Sequence, residues 1–178
     1  MIILLGKPGA GKGTQAELLE RENGYVAVST GEVLRDAAKF DSRLAEVLNS
    51  GQLADSQLIF QLLEQKFQQV GKNRIILDNF PRNQEQASWL IKHLEKKPPE
   101  KIDLVILNIS DEEVSKRLNK RGRADDNPEG ISKRLQIFHN DVRRAVALLK
   151  GVVQQKEVNG EGTVNEVHQR ILKALEMV

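Results

Sequence analysis

The sequence predicts an α/β fold in which a five-stranded parallel sheet carries helices on both faces. Apolar runs of strand length alternate with helical patterns along the whole chain, an order typical of a parallel sheet with helical crossovers. Two runs, residues 75–77 and 104–107, are apolar at every position, as expected for strands buried on both faces. The fold class follows from the alternation and from these two runs.

Five strands can be placed along the chain. We predict them at residues 1–5, about 25–29, 74–78, 103–109 and about 152–158. Because right-handed crossovers bring the carboxyl ends of parallel strands to one edge of the sheet, Gly6, Asp78 and Ser110 are expected to lie there. Ligands of such sheets bind at this edge.

The connection between the second and third strands is unusually long. It holds helical patterns at about 30–39, 42–50 and 55–70. Gly51 is expected to end the middle helix, and Asp55 or Ser56 to cap the next one. Since a single crossover needs less chain, part of the connection is expected to project as a small arm that covers a substrate. An ordinary helical insertion is the alternative.

The later connections carry weaker signals. Residues 96–101, Lys-Lys-Pro-Pro-Glu-Lys, are predicted to form a surface loop, because adjacent prolines and charges suit neither a strand nor a helix interior. Pro128 opens a predicted helix with an apolar stripe, formed by Ile131, Leu135, Phe138, Val142 and Val146. Residues 163–166, Thr-Val-Asn-Glu, fit a capping box at the start of a last helix.

Composition excludes several classes of protein. A length of 178 residues suits one domain, and a net charge of +2 indicates no bias toward nucleic acid or membranes. The absence of cysteine excludes disulfides, cysteine-ligated zinc and a thiol nucleophile. His93, His139 and His168 lack metal-ligand spacing and are expected at the surface or the core edge. No apolar run is long enough for a signal peptide or a membrane span, so we expect a soluble, cytoplasmic protein. We also expect a monomer.

Residues 6–14, Gly-Lys-Pro-Gly-Ala-Gly-Lys-Gly-Thr, connect the first predicted strand to the first helix. The glycines let backbone N–H groups point inward, and the helix start adds unpaired donors and a positive dipole end. Lys12 supplies a full positive charge. The general phosphate-loop pattern has Ser or Thr directly after this lysine, whereas here Gly13 intervenes and Thr14 supplies the hydroxyl for a metal. The segment predicts a phosphate-binding loop.

Two further groups of charged residues suit a phosphate ligand. Asp78 ends a buried strand, where an acidic residue commonly faces the magnesium shell of a phosphate site, and Arg82 follows it closely and can grip a phosphate with two hydrogen bonds. A second group lies between residues 117 and 134 and contains Arg117, Arg121, Arg123 and Arg134. A solvated charged face is the alternative for this group; a nucleic-acid surface is disfavoured by its paired aspartates and missing aromatics.

Several cations around one lysine favour phosphoryl transfer, because its transition state spreads negative charge over oxygens and catalysis consists mostly of positioning and positive charge. If the acceptor is itself a phosphate, its second ionisation lies near pH 6, by analogy with phosphorylated side chains. No dedicated general base is then needed.

These motifs together resemble the adenylate kinase family over nearly the whole chain. The loop is that family's version, with glycine between lysine and threonine. Residues 29–35, Ser-Thr-Gly-Glu-Val-Leu-Arg, are similar to its Ser-Thr-Gly-Asp-Leu-Leu-Arg. Residues 78–82, Asp-Asn-Phe-Pro-Arg, followed by Gln86-Ala87, resemble its Asp-Gly-Phe-Pro-Arg and Gln-Ala. Arg121-Gly122-Arg123 with Asp125, Asp126 and Arg134 forms the fourth match.

The resemblance implies the P-loop three-layer fold and assigns a role to each matching residue. It implies catalytic roles for Lys12, Arg82, Arg121, Arg123 and Arg134. The residues implied to bind ATP are Gly9, Ala10, Gly11, Lys12, Gly13, Thr14, Arg117 and Arg121. Those implied to bind AMP are Thr30, Arg35, Arg82, Gln86, Arg123 and Arg134. It also implies Mg²⁺ held with ATP through water, near Asp78, and no zinc.

The chain departs from the family pattern at three places. Asn79 replaces the usual glycine, and Leu53-Ala54 stands where Val-Pro is common. Only Gly122 separates Arg121 from Arg123, so the independent lid domain of longer members, including its zinc-binding form, cannot be present. We expect a single domain, residues 1–178, with a small helical arm at about 30–59 that binds the nucleoside monophosphate and a short lid loop at about 121–128.

The expected reaction is reversible phosphoryl transfer from MgATP to AMP, giving two ADP. UMP and CMP kinases of the same fold usually have Ala in place of Thr30 and Asn in place of Gln86, although residues 82–84, Arg-Asn-Gln, read somewhat like theirs. A UMP/CMP kinase therefore stays the alternative. A non-catalytic nucleotide-binding module and a kinase of a small metabolite are further alternatives, disfavoured respectively by the complete set of cations and by the two acceptor motifs.

Overall fold

The structure, a computed structural model, describes residues 1–70, 74–96, 99 and 101–178, apart from the side chains of Val70 and Lys96. Within these ranges the strands are β1 (Ile2–Gly6), β2 (Val26–Ser29), β3 (Ile75–Asp78), β4 (Asp103–Asn108) and β5 (Gln154–Asn159). They form one parallel sheet in the order β2-β3-β1-β4-β5. The predicted fold class and the predicted strands are confirmed.

The helices alternate with the strands as predicted. They are α1 (Lys12–Asn23), α2 (Thr30–Ala38), α3 (Ser42–Asn49), α4 (Ser56–Val70), α5 (Gln84–Lys96), α6 (Asp111–Arg121), α7 (Pro128–Ile137), α8 (Arg143–Leu148) and α9 (Val164–Ala174). Asp55 caps α4 by accepting from the N–H groups of Gln57 and Leu58, and Thr163 opens α9 with the predicted capping box. Residues 97, 98 and 100 of the predicted loop 96–101 lie outside the described residues.

The sheet separates two apolar cores, because successive side chains of a strand point to opposite faces. Ile3 and Leu5 of β1 pack with residues of α4, α5 and α8 on one face. Ile2 and Leu4 pack with residues of α1, α6 and α9 on the other. Burial on both faces explains why the central strands are continuously apolar.

The predicted apolar stripe of the helix that starts at Pro128 faces the core, since Phe138 and Val142 are buried and Ile131, Leu135 and Val146 pack against buried residues. A π-helical turn at Phe138–Val142 interrupts this helix. The expectation for His168 was wrong. His168 is 2% exposed rather than peripheral, because its Nδ1 lies 3.0 Å from Gln15 Oε1 between α9 and α1.

Candidate active site

A cavity of about 800 Å³ opens at the carboxyl edge of the sheet. Every residue that the sequence singled out for the site lines it: Gly9, Ala10, Gly11, Lys12, Gly13, Thr14, Thr30, Arg35, Asp78, Arg82, Gln86, Arg117, Arg121, Arg123 and Arg134. The parallel register explains the convergence, since Gly6 ends β1 beside β4 while Ser29 and Asp78 pair at the ends of β2 and β3. Residues far apart in sequence therefore share one cavity.

The phosphate loop turns sharply between β1 and α1. The N–H of Ala10 donates to the Lys7 carbonyl at 3.1 Å, and Gly11 precedes α1 with φ 90°, in the left-handed region that suits glycine. A Cβ atom on Gly6 would lie 2.6 Å from the Leu107 carbonyl oxygen. The loop therefore lies directly against β4, with the N-terminus of α1 facing the cavity.

Lys12 is held inside the loop. Its Nζ donates to the carbonyls of Gly6 at 2.9 Å and Lys7 at 3.0 Å. Burial and, after it, the positive charges of three nearby arginines lower the pKa of this ammonium to about 8, while the charge of Asp78 opposes the shift. An anionic ligand placed among these cations would stabilise the protonated lysine.

Asp78 lies at the end of β3 and is 7% exposed. Burial raises the pKa of its carboxyl group, and the charge of Lys12 opposes that effect. Its Oδ1 accepts no hydrogen bond from any residue that the structure describes, and its Oδ2 lies 3.8 Å from the position of a Cβ atom on Gly13. Asp78 also lines the cavity, on the same side as Gly13 and Lys12.

The described residues offer no direct protein cage for a metal. No three His, Cys, Asp or Glu side chains converge among them. The unpartnered Oδ1 of Asp78 fits a residue that would accept hydrogen bonds from the waters of a Mg²⁺ ion bound mainly by nucleotide phosphates.

The opposite side of the cavity is built from Thr30, Asn79, Arg82 and Gln86. The Thr30 hydroxyl donates to the Asn79 carbonyl at 3.2 Å. The amide oxygen of Gln86 accepts from the Arg82 N–H at 2.8 Å, and its buried amide nitrogen has no hydrogen-bond partner among the described residues. This nitrogen is a donor available to a ligand that enters the cavity.

Asn79 adopts a left-handed backbone conformation with φ 65°. Glycine adopts this region freely, and asparagine tolerates it better than most residues. The replacement of the family's usual glycine by asparagine is therefore compatible with the same turn.

Arg82 follows this turn and lies close to Arg134. Burial and the neighbouring charge of Arg134 lower its pKa to about 10, whereas the charge of Asp125 opposes the shift. The guanidinium is still charged at neutral pH, and the cavity therefore concentrates positive charge at this point.

Asp126 organises the arginines at the end of α6 and in α7. Its carboxylate accepts from Arg121 Nε at 2.8 Å, Arg121 Nη2 at 2.6 Å, Arg134 Nη2 at 2.8 Å and the Arg123 N–H at 3.0 Å. Burial alone would raise the pKa of Asp126, but these hydrogen bonds hold it well below its ordinary value. Asp125 adds an ion pair with Arg134 at 2.7 Å.

Arg123 differs from Arg121 and Arg134 because its exposed side chain makes no hydrogen bond to Asp126. Only its backbone N–H bonds to Asp126, and its guanidinium donates no hydrogen bond to a described residue. Arg35, on α2, is also exposed. Both side chains line the cavity and have donors left for a ligand.

Arg117 connects α6 to the phosphate loop. Its Nη1 donates to the Gly9 carbonyl at 3.3 Å, its Nη2 to the Gly160 carbonyl at 3.1 Å, and its Nε to Glu113 Oε1 at 2.6 Å. The sequence analysis missed Glu113, although its position four residues before Arg117 on one helix was a usable signal. It also missed Gly160, for which the sequence carried no comparable signal.

The strand order around the loop defines a nucleotide-binding protein of the P-loop class, with a loop lysine facing several arginines across one cavity. A family model described as adenylate kinase matches residues 4–152. Similar proteins include adenylate kinases from Prochlorococcus marinus strain NATL2A, 35% identical, Hyphomonas neptunium, 38%, and Thermus thermophilus, 34%. The alignments cover 98% of this chain and 97%, 97% and 96% of these relatives. The chain belongs to the adenylate kinase family.

Proposed function

We propose that the protein transfers a phosphoryl group reversibly from MgATP to AMP and so forms two molecules of ADP. The observation that carries the proposal is the single cavity with Lys12 on one side and Thr30, Arg82 and Gln86 on the other, in a chain of the adenylate kinase family. Two nucleotide sites that share one cavity bring donor and acceptor phosphates together without a covalent enzyme intermediate.

On the donor side, residues 9–14 hold the ATP phosphates through backbone N–H groups and the Lys12 ammonium. Arg117, which already spans the carbonyls of Gly9 and Gly160, lies beside the adenosine of ATP. Magnesium, when bound with ATP, neutralises charge on its phosphates. Asp78 would accept hydrogen bonds from the waters of that ion, and Thr14 would supply a nearby hydroxyl.

On the acceptor side, Arg35 and Arg82 bind the AMP phosphate, and Thr30 and Gln86 contact the nucleoside. The buried amide nitrogen of Gln86 donates to an acceptor on the adenine edge, whereas its oxygen is already engaged by the Arg82 N–H. A buried donor that needs an acceptor penalises bases that lack one at this position.

The transferring phosphoryl group lies among Lys12, Arg82, Arg121, Arg123 and Arg134. Their positive charge stabilises the charge that develops on its oxygens. Within the single domain, the arm at residues 30–59 and the lid loop at 121–128 close over the nucleotides, because water must be kept from the reacting phosphate. All five cations come from one chain, so the site needs no residue from a partner subunit. We propose that the protein is a monomer.

The family relationship makes a membrane or nucleic-acid role unnecessary, and the charge of the chain, +2, gives neither role support. No helix within the described ranges combines the length and apolar content that crossing a membrane requires. We place the reaction in the cytoplasm, where both nucleotides are available.

A coupled assay with ATP and Mg²⁺ against AMP, UMP, CMP and GMP tests the proposal. We expect turnover with AMP far above that with the other three. Preference for UMP or CMP would contradict the assignment of Thr30 and Gln86 to adenine, but it would still support phosphotransferase activity. No turnover with any monophosphate would contradict the proposal that the protein is a nucleoside monophosphate kinase.

A further inference from the structure

The turn after α3 lies against the first turn of α7. Gly51 ends α3 with φ 71° and is buried, and Gly130 is buried in α7. A Cβ atom on Gly51 would lie 2.9 Å from the Gly130 carbonyl oxygen and 3.2 Å from the Gly130 Cα. The first distance is shorter than Cβ atoms show in real structures, so a side chain here would push the two backbones apart. We call this the Gly51–Gly130 contact.

The contact reaches an arginine of the candidate active site. The Gly130 carbonyl that faces Gly51 also accepts from Arg134 Nε at 3.2 Å. The same Cβ position on Gly51 lies 3.4 Å from Arg134 Cγ. Any displacement of Gly51 from α7 therefore changes the surroundings of the Arg134 side chain directly.

Gly130 also supports the lid loop from its other side. A Cβ atom on Gly130 would lie 2.5 Å from the Asp125 carbonyl oxygen, and this carbonyl accepts from Arg134 Nη2 at 2.6 Å. Gly130 is thus enclosed between the arm and the lid loop, with Arg134 hydrogen-bonded to carbonyls at both contacts.

We infer that Gly51 and Gly130 are positioning residues, and that their backbone contact sets the closed separation between the acceptor arm and the Arg134-bearing helix. The inference rests on the proposed function. Gln52, Leu53 and Ala54 follow Gly51 and line the cavity, on the arm that the proposed function assigns to the monophosphate. The contact therefore fixes how close the bound monophosphate comes to Arg134. Gly51 lines the cavity with backbone atoms alone, so its role in the inference is to set a distance and not to bind through a side chain.

The substitution Gly51→Asn tests the contact with little backbone strain, because asparagine tolerates the left-handed region. Gly24→Asn is the matched control. Gly24 also ends a helix, with φ 66°, but a Cβ atom there first meets Arg74 Nη1 at 3.3 Å, the far end of a flexible side chain. A difference between the two variants isolates the clash with Gly130.

For Gly51→Asn we expect kcat/KM for AMP to fall about 10- to 100-fold, since a misplacement near 1 Å costs up to about 100-fold. The affinity for ATP, measured without AMP, should stay unchanged, and Gly24→Asn should match the unsubstituted protein in both. Equal kinetics for the two variants would overturn the inference. An inactive unsubstituted protein would instead overturn the proposed function.

A second measurement covers the case in which Gly51→Asn does not fold. The chain contains no cysteine, so Ser50→Cys and Glu129→Cys, both at exposed positions outside the cavity lining, provide a unique pair of spin-label sites. With a bisubstrate analogue of two phosphate-linked adenosines bound, we expect one short distance that matches the contact. Absence of that population with the analogue bound would overturn the inference.

Discussion

Arg121 and Asp126 form a bidentate ion pair, with Nε to Oδ2 at 2.8 Å and Nη2 to Oδ1 at 2.6 Å. The Asp126 side chain is 1% exposed, and the same Oδ1 also accepts from Arg134. One buried carboxylate therefore holds two arginines of the candidate active site in a fixed relative position. Its removal leaves two neighbouring cations without their shared counter-ion.

Asp126→Asn should lower the free energy of unfolding by about 3 kcal/mol at neutral pH, because removal of one partner strands the others. Asp36→Asn, which breaks the exposed pair with Lys39, is the control and should change the free energy of unfolding much less, because solvent screens an exposed ion pair. Urea unfolding of both variants checks the prediction. Equal effects would mean that the Asp126 cluster does not stabilise the fold.

The same pair predicts a pH dependence. The hydrogen bonds hold the folded-state pKa of Asp126 below its ordinary value of 3.8, so the folded protein binds this proton less readily than the unfolded chain. The stabilising contribution is present above about pH 4 and is lost as the pH falls toward the folded-state pKa. The difference in Tm between the unsubstituted protein and Asp126→Asn should therefore shrink below pH 4 and stay constant above it.

Lys12 predicts a pH dependence of ATP binding. Its pKa is about 8 in the ligand-free protein, so an increasing fraction of the lysine is neutral above pH 8. ATP binds the protonated form, and the lysine must therefore take up a proton when ATP binds. The affinity for ATP should fall with a slope that approaches about tenfold per pH unit. Lys12→Arg should bind more weakly, with a much flatter profile, because arginine stays protonated. Calorimetric titrations from pH 7 to 9.5 measure both, and equal slopes would contradict the assignment.

Arg123 lies on the lid loop, and its exposed guanidinium donates no hydrogen bond to a described residue. Arg123→Ala should lower kcat by about 10³- to 10⁵-fold, the range for arginines that are delivered to a transferring phosphoryl group. Arg21→Ala removes an exposed arginine paired with Glu22 and should leave kcat unchanged. Steady-state rates at saturating nucleotide check this, and a loss under tenfold would mean that the lid loop does not deliver Arg123.

Asn79 predicts a distinctive substitution pattern. Asn79→Gly should keep both stability and AMP kinetics, because φ 65° suits glycine. Asn79→Val should lower the free energy of unfolding by about 1–2 kcal/mol, the penalty for a left-handed conformation, and should weaken AMP binding because the Asn79 carbonyl holds Thr30. If the valine variant were as stable as the others, the turn would have relaxed to another conformation.

The sheet and the cavity could be predicted because their signals are local. Continuous apolar runs identify buried strands, and the glycine-rich loop with Lys12 identifies one edge of the sheet. Parallel topology then brings Asp78 and Arg82 to the same edge without further information. The roles of these residues are predictions that rest on chemistry and on the family resemblance.

The remaining features depend on contacts between distant segments. His168 is buried because Gln15, 153 positions away, accepts a hydrogen bond in the helix interface; a lone histidine in a sequence carries no sign of this. The π-helical turn at Phe138–Val142 interrupts an α-helical segment, and an apolar pattern with period 3.6 does not reveal such a turn. The contact of Gly51 with Gly130 is likewise visible only in the folded structure, because the two residues belong to different helical segments.

Phosphorus NMR of the purified protein with MgATP and AMP tests the central claim most directly. The expected result is a loss of ATP and AMP in equal amounts and the appearance of two ADP for each pair, with the reverse conversion when ADP alone is supplied. Release of inorganic phosphate from ATP with AMP unchanged, or no change at all, would contradict phosphoryl transfer between the two sites around Lys12 and Arg82.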